Sequence, residues 1–335
     1  MVRPKPIQIV IILLILVSVF WVFTEKEPKK TPSVRIAVSR TPLSVPIFIA
    51  DALGYFKSEG VNVELIEKDG GNLCFNTLME GEADFATSSD SVIMFNRFKR
   101  QDFENLATFV RSDHDVKVIS RSSLGIMSVK DLQGRKVALI KGSASEYFLD
   151  MLLAIDGVEL NSIELVNLPP KEMSPALKNG DVDAIAVWEP FAYKAMQQLG
   201  DDAKLLSRKS LYELTFNLVT HKNFYEQHTE ASEGVVKALK RAVEFINSNE
   251  TEAQALLSDR LKLDQAFIDW VWGDYFFSLS LNNSLILSLE NEARWAIDRG
   301  LTKNVKIPDY IRLMNPKALL KISPHTVSLK SVSKN

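Results

Sequence analysis

The chain has 335 residues, of which 46% are hydrophobic and 24% charged, enough for two globular domains. Forty basic against 42 acidic residues leave a net charge of −2, which excludes the basic excess of a nucleic-acid binder. A single cysteine, Cys74, excludes an intrachain disulfide and a cysteine-built zinc site, and the four histidines are scattered with no HExxH-type pair.

Residues 1–33 read as a targeting or anchoring segment followed by a tether. Arg3 and Lys5 precede an apolar run from Ile9 to Phe23 broken only by Ser18, long for a signal-peptide core and short for a spanning helix. Large side chains stand where a signal peptidase needs small ones, and no cysteine follows directly to carry a lipid. The preferred reading is an uncleaved anchor contacting the inner membrane through residues 7–23, with a cleaved signal second. Glu25 to Ser33, with Pro28 and Pro32, is a polar tether.

From Val34 strand and helix alternate. VRIAV (34–38) predicts a buried strand, Pro46 to Phe56 a helix ending near Gly54, and Val61 to Ile66 a second strand. Gly70-Gly71-Asn72 opens a helix that runs through Glu80. Asp84 to Ala86 follows as a strand, and Ser88-Ser89-Asp90 offers caps for a helix to Arg100. Such alternation with short loops predicts a mostly parallel sheet. Leu106–Val110 and Val116–Ser120 predict strands that leave this first lobe, with Asp113-His114-Asp115 between them. Lys136–Ile140 then predicts a strand, followed by a Gly-Ser turn and a helix. Further on come a strand at Ile163–Asn167, a helix at Lys171–Asn179, a strand at Ala184–Val187 and a helix begun by Pro190. Leu214–Thr220 suits a returning strand. From Asn223 onward the pattern is mainly helical, and the polar tail from Ser323 is expected to be loose.

One stretch occurs twice. Leu78 to Ser88 (LMEGEADFATS) and Leu177 to Pro190 (LKNGDVDAIAVWEP) align Leu78 with Leu177, Gly81 with Gly180 and Asp84 with Asp183, 99 positions apart. Each copy reads as a helix end, a glycine stop and a following strand, a corner used once in each of two lobes.

Four pieces carry a family resemblance: IADALGYFKSEGVNVEL (49–65), GGNLCFNTLMEGEADFATSS (70–89), SVKDLQGRKVALIKGSAS (128–145) and ALKNGDVDAIAVWEP (176–190). In this order they resemble the substrate-binding proteins of ABC importers, in the branch that includes sulfonate, taurine, nitrate and thiamine-precursor binders (the NMT1/THI5-like group). The resemblance implies an α/β, two-lobe periplasmic-binding-protein fold of type II, each lobe a mixed sheet flanked by helices, with two crossover strands. The lobes would be 34–118 and 119–212, with 213–322 returning to the first and 323–335 a loose tail. It implies an extracytoplasmic monomer that takes a small-molecule ligand by hinge closure, hands it to permease subunits, and needs no cofactor, metal or nucleic acid.

In open α/β sheets ligands bind beyond the carboxyl ends of the strands. Here those ends are followed by polar turns that start helices, whose free N–H groups favour an anion or polar head group. The candidate contacts are Arg40 and Thr41, Gly71 and Asn72, Ser88 and Ser89, Asp115, Gly142, Ser143 and Ser145, and Trp188 with Glu189. Simple N-capping competes for each Ser and Thr. Arg40 would hold a sulfonate, carboxylate or phosphate in a fork, or be a surface charge. Trp188 would stack on a flat ligand or wall the pocket, against a core role. Glu189 would receive an ammonium or pair with a neighbour, and Asp115 would contact ligand or pair at the hinge. Asp90 reads as a cap, and Cys74 as a small buried residue. Trp270, Trp272, Tyr275–Phe277 and Trp295 read as core.

Two other functions share this scaffold: an enzyme of thiamine-pyrimidine or menaquinone precursor type, and a tethered ligand sensor. The pyrimidine-synthase type calls for a cysteine-rich segment that this chain lacks. For the ligand, an amino-sulfonate such as taurine suits both signs of charge, and a neutral heterocycle suits Trp188.

Overall fold

The computed structural model describes residues 31–329, so the apolar N-terminal run and the last six residues lie outside it. Among the described residues no helix is long and apolar enough to cross a membrane. In chain order the strands are β1 (Ser33–Ser39), β2 (Asn62–Lys68), β3 (Phe85–Ser89), β4 (Phe103–Ser112), β5 (Val116–Arg121), β6 (Lys136–Leu139), β7 (Glu164–Asn167), β8 (Ala184–Trp188), β9 (Ala203–Leu205), β10 (Leu214–His221), β11 (Tyr275–Asn282) and β12 (Val327–Ser328). They form two mixed sheets, one ordered β12-β11-β4-β10-β3-β1-β2 and the other β7-β6-β8-β5-β9. The alternating stretches give the parallel pairs, β1 with β2 and β3, and β6 with β7 and β8. Strand β10 returns antiparallel between β3 and β4, and β5 runs antiparallel to β8. The chain therefore leaves the seven-stranded half after Ser112 and re-enters it at Leu214, through segments 113–115 and 206–213.

Strand β8 shows why its sequence is apolar at every position. Ala184 and Ala186 pack into one core, Ile185 and Val187 into a second with Met173, Leu177 and Ala192 of the flanking helices. Both faces are covered, so no polar alternation appears.

The two copies of the repeated corner are built alike. Gly81 and Gly180 hold φ of 77° and 83°, the left-handed conformation that ends each helix. The Asp84 carboxylate accepts from the Arg35 amide at 2.7 Å, and the Asp183 carboxylate from the Lys136 amide at 2.8 Å. Each Asp amide returns a bond to the carbonyl of that same residue, at 2.9 and 2.8 Å. A hydrogen-bonded clasp thus ties each corner to the first turn of β1 or β6, and fixes the parallel register beside it.

The mainly helical reading of the C-terminal third needs correction. Helices Thr229–Ser248, Glu250–Leu261 and Asn283–Asp298 are present, but Tyr275–Phe277 lies on a strand, β11, and not at helical spacing. Tyr275, Phe277, Leu279 and Leu281 are buried while Phe276 is exposed, the period of two expected of a sheet with one covered face. Ser323, expected to open a loose tail, is buried, and Val327 and Ser328 pair with Leu281 and Asn282 at the edge of the sheet.

Candidate ligand-binding site

The carboxyl ends of β1, β3, β6 and β8 meet around a cavity enclosing about 420 Å³ of empty space, its open mouth included. The seven-stranded half supplies Ser39 at the end of β1 with Thr41 and Leu43 beyond it, Gly70, Gly71 and Asn72 at a helix start, Ser89 at the end of β3 with Val92 beyond it, and Leu214 and Phe216 from β10. The other half supplies Ser143, Ala144 and Trp188, and the crossing segment supplies Asp115. The walls approach closely. A Cβ on Gly70, whose φ is 125°, would stand 3.4 Å from Trp188 Cζ2, and one on Gly71 would stand 3.2 Å from Phe216 Cε2 and from the Ser88 and Ser89 backbone. Both glycines are needed for the backbone to reach the pocket.

Three polar atoms here are buried without a partner: Ser39 Oγ, Thr41 Oγ1 and Asp115 Oδ2. Leaving a buried polar group unpaired costs about 1–3 kcal/mol, and the three on this cavity are free to take a polar partner. The helix Gly71–Met79 also begins at the cavity with no side-chain cap. Asp115 is buried, and its Oδ1 accepts from the Tyr275 hydroxyl at 2.7 Å. Burial raises its pKa to about 7, although the Tyr275 hydrogen bond and the charge of Lys117 pull the other way. Among the described residues, no lysine or arginine lines the cavity.

Of the twelve candidates, Thr41, Gly71, Asn72, Ser89, Asp115, Ser143 and Trp188 line the cavity. Five do not. Arg40 turns outward, half exposed, its Nε pairing with Glu67 at 3.4 Å, and is absent from the cavity wall. Ser88 lies behind the wall at Gly71, buried with its hydroxyl unpartnered. Gly142 faces a neighbouring groove, and Ser145 is buried with its hydroxyl 2.8 Å from that of Ser143. Glu189 is wholly buried and is the counter-ion of Lys117, at 3.0 Å, while also accepting from Trp270 Nε1 at 2.7 Å and the Tyr193 amide at 3.0 Å. Of its two readings, the neighbour pair is the one made. Trp270, set aside as core, belongs to this network, as does Asp274, which bridges His114 and Lys209 beside Asp115.

Sequence reasoning missed Ser39, Leu43, Gly70, Val92, Ala144, Leu214 and Phe216. Ser39 and Gly70 stood inside the polar turns already singled out, one position before the residue chosen. Leu214 and Phe216 come from a strand that begins 125 positions after Ser89, and only the antiparallel return of β10 beside β3 brings them in. Asp90 is buried and accepts from the Tyr212 hydroxyl at 2.5 Å and the Thr215 amide at 2.9 Å, a tie to the second crossing segment; the cap of its helix is Ser89. Cys74 is buried, which pushes its thiol up to about 12 and leaves it no thiolate to act as a nucleophile.

The model of the NMT1/THI5-like family matches residues 41–253. The chain is 28% identical over 250 residues to a putative aliphatic sulfonates-binding protein of Bacillus subtilis (strain 168), covering 72% of this chain and 74% of that one. It is 24% identical over 216 residues to the taurine-binding periplasmic protein of Escherichia coli (strain K12), covering 63% and 64%. Its fold is similar to the alkanesulfonate-binding protein SsuA from Xanthomonas axonopodis pv. citri bound to MOPS, with a TM-score of 0.71 and 19% identity over 88% of this chain and 98% of that one. With the family model spanning most of the two sheets and the cavity between them, this chain belongs to the NMT1/THI5-like family.

Proposed function

We propose that the protein is the extracytoplasmic solute-binding component of an ABC importer, and that its ligand is a small organosulfonate carrying a basic nitrogen. The transport role is supported by the relatives, which are sulfonate- and taurine-binding proteins. The ligand reading is carried by one observation, Asp115 Oδ2, a buried carboxylate oxygen on the cavity wall with no partner and no lining cation to oppose it. A plain sulfonate next to an ionised Asp115 would meet like charge, whereas an ammonium would pair with it. The sulfonate end is held by neutral donors, the Ser39 and Thr41 hydroxyls and the uncapped amides at Gly71 and Asn72, with Trp188 and Phe216 as the apolar walls. Taurine and MOPS, named with two of the similar proteins, each combine a sulfonate with a basic nitrogen. The cleft then closes by bending at segments 113–115 and 206–213, and binding, not bond breaking, is the activity.

The test is calorimetry with taurine and with ethanesulfonate, which lacks the ammonium, from pH 6 to pH 8. An ammonium ligand needs the carboxylate form of Asp115, so taurine affinity should rise with pH through about 7, by up to about tenfold per unit below the pKa. Asp115→Asn should weaken taurine binding and remove that slope. Ethanesulfonate binding better than taurine, and more tightly at pH 6 than at pH 8, would mean that a protonated Asp115 donates to an anion, and the ammonium reading would fall.

A further inference from the structure

The helix Ala144–Ile155 begins at the cavity, where Ser143 and Ala144 form part of its wall. Two turns along, on the same helix, Asp150 is buried although it touches no part of the cavity. Its partners come from the other half of the molecule. Arg299 grips it in a fork, Nε to Oδ2 and Nη2 to Oδ1, both at 2.6 Å, and Trp295 Nε1 donates to Oδ2 at 2.5 Å. Trp295 and Arg299 stand at the end of the helix Asn283–Asp298, which packs on the helix Asp90–Arg97 of the seven-stranded half. The aromatic contacts follow the same path: Tyr147 meets the Trp295 ring at 4.9 Å and the Tyr212 ring at 5.2 Å. A bidentate, charge-assisted fork with a third donor on a buried carboxylate is a strong and directional link.

Other links between the halves differ in kind. The network around Lys117, Glu189 and Asp274 lies at the crossing segments, where the halves are joined covalently. Lys171 pairs with Asp69 at the mouth, but the lysine is exposed, and such pairs contribute little. Among the described residues, Asp150 with Arg299 is an ion pair that ties the halves together away from both crossings, its carboxylate buried and its guanidinium partly exposed.

We propose that Asp150 is a positioning residue for ligand capture: through Arg299 and Trp295 it latches the helix Ala144–Ile155 against the seven-stranded half, and so sets how long the cleft stays closed. The latch rests on the solute-binding reading given above. Because it forms between the protein's own groups and not with the ligand, its effect falls on release. The fork is made without ligand as well, so its loss is read in the ligand-free chain as faster local exchange and in the complex as faster release.

The experiment is stopped-flow binding of taurine to the wild-type chain and to Asp150→Asn, Arg299→Gln and the double variant, with hydrogen exchange of the ligand-free proteins beside it. Asp150→Asn should raise koff about tenfold and leave kon within about threefold, since losing the buried carboxylate that receives the fork acts on dissociation. The double variant should be no weaker than Asp150→Asn alone, because the two side chains act as one unit. A lowered melting temperature with unchanged koff would overturn the latch and leave Asp150 a purely structural residue; so would losses that add in the double variant. If the wild-type chain binds neither taurine nor ethanesulfonate, it is the ligand reading that has failed, and the exchange data decide the latch. Faster exchange in Asp150→Asn confined to residues 144–155 and 283–299 supports it, and unchanged exchange there overturns it.

Discussion

A methyl group on Gly71 has no room. It would sit 3.2 Å from two backbone atoms, Ser88 Cα and Ser89 N, which cannot rotate away, and 3.2 Å from Phe216 Cε2, which can move only into the cavity. Gly71→Ala should therefore cost about 1–3 kcal/mol of stability, the usual range for overpacking, and weaken ligand binding by shrinking the site. Denaturant unfolding and calorimetry read the two effects separately; unchanged affinity would show that the ligand does not use this wall. Trp188 is the complementary case, because truncation enlarges the cavity. Trp188→Ala should lower the melting temperature, because the half-buried ring packs against the core, and weaken binding about tenfold through loss of the aromatic wall. A change in fluorescence on adding taurine to the wild-type chain, absent from the variant, would place the ligand at this ring.

At the scale of elements, the repeated corner is the clearest case of sequence specifying structure. Asp84 and Asp183 each accept a backbone N–H near the start of an interior strand, β1 or β6, where the neighbouring strand has not yet begun to pair. Asp84→Ala and Asp183→Ala should each cost about 1–3 kcal/mol, while the corresponding Asn variants, which keep an acceptor oxygen, should cost much less. Equal losses for Ala and Asn in urea unfolding would assign the effect to charge instead, through Arg35 and Arg135 nearby. Local rules were enough here because the helix stop, the turn and the strand are contiguous in the chain. They located the polar turns at the strand ends but not the role of each residue there, since Ser89 and Ser143 line the cavity and also cap helices. They failed where a side chain's partner is remote. Arg40 and Glu189 look alike in the sequence, charged residues beside a strand end, yet Glu67 on the adjacent strand draws one outward and Lys117 draws the other into the interior. Strand β11 was legible from the alternation of Tyr275 to Leu281 but was masked by the aromatic cluster before it and the long helices on either side.

Across the whole molecule, three buried carboxyl groups hold protons more tightly than they would in an unfolded chain. Burial raises Asp90 to about 6 and Asp115 to about 7, and raises Glu292 well above its ordinary value. Glu292, on the helix Asn283–Asp298, has neither oxygen hydrogen-bonded, and it stands near Asp90, Tyr147, Tyr212 and Tyr310, with no cation among the groups that shift it. A carboxyl with a raised folded pKa makes the folded state bind more protons than the unfolded state, so stability falls as pH climbs from the unfolded value toward the folded one. The window opens near pH 4 for all three, closes near 6 for Asp90 and near 7 for Asp115, and extends higher for Glu292. Within it each group contributes a slope of up to about 1.4 kcal/mol per pH unit. The ligand-free protein should accordingly melt at a higher temperature at pH 5 than at pH 8. Glu292→Gln mimics the protonated side chain, so it should match the wild type near pH 5 and exceed it by about 1–3 kcal/mol at pH 8, where the wild type must either keep a proton against the solvent or bury a charge. Urea unfolding at the two pH values measures both quantities, and a wild-type stability that rises between pH 5 and 8 would contradict the protonated state assigned to this cluster. Taurine in saturating amounts should flatten the slope, because an ammonium beside Asp115 lowers its pKa and removes that group's share, leaving Asp90 and Glu292 to set the rest.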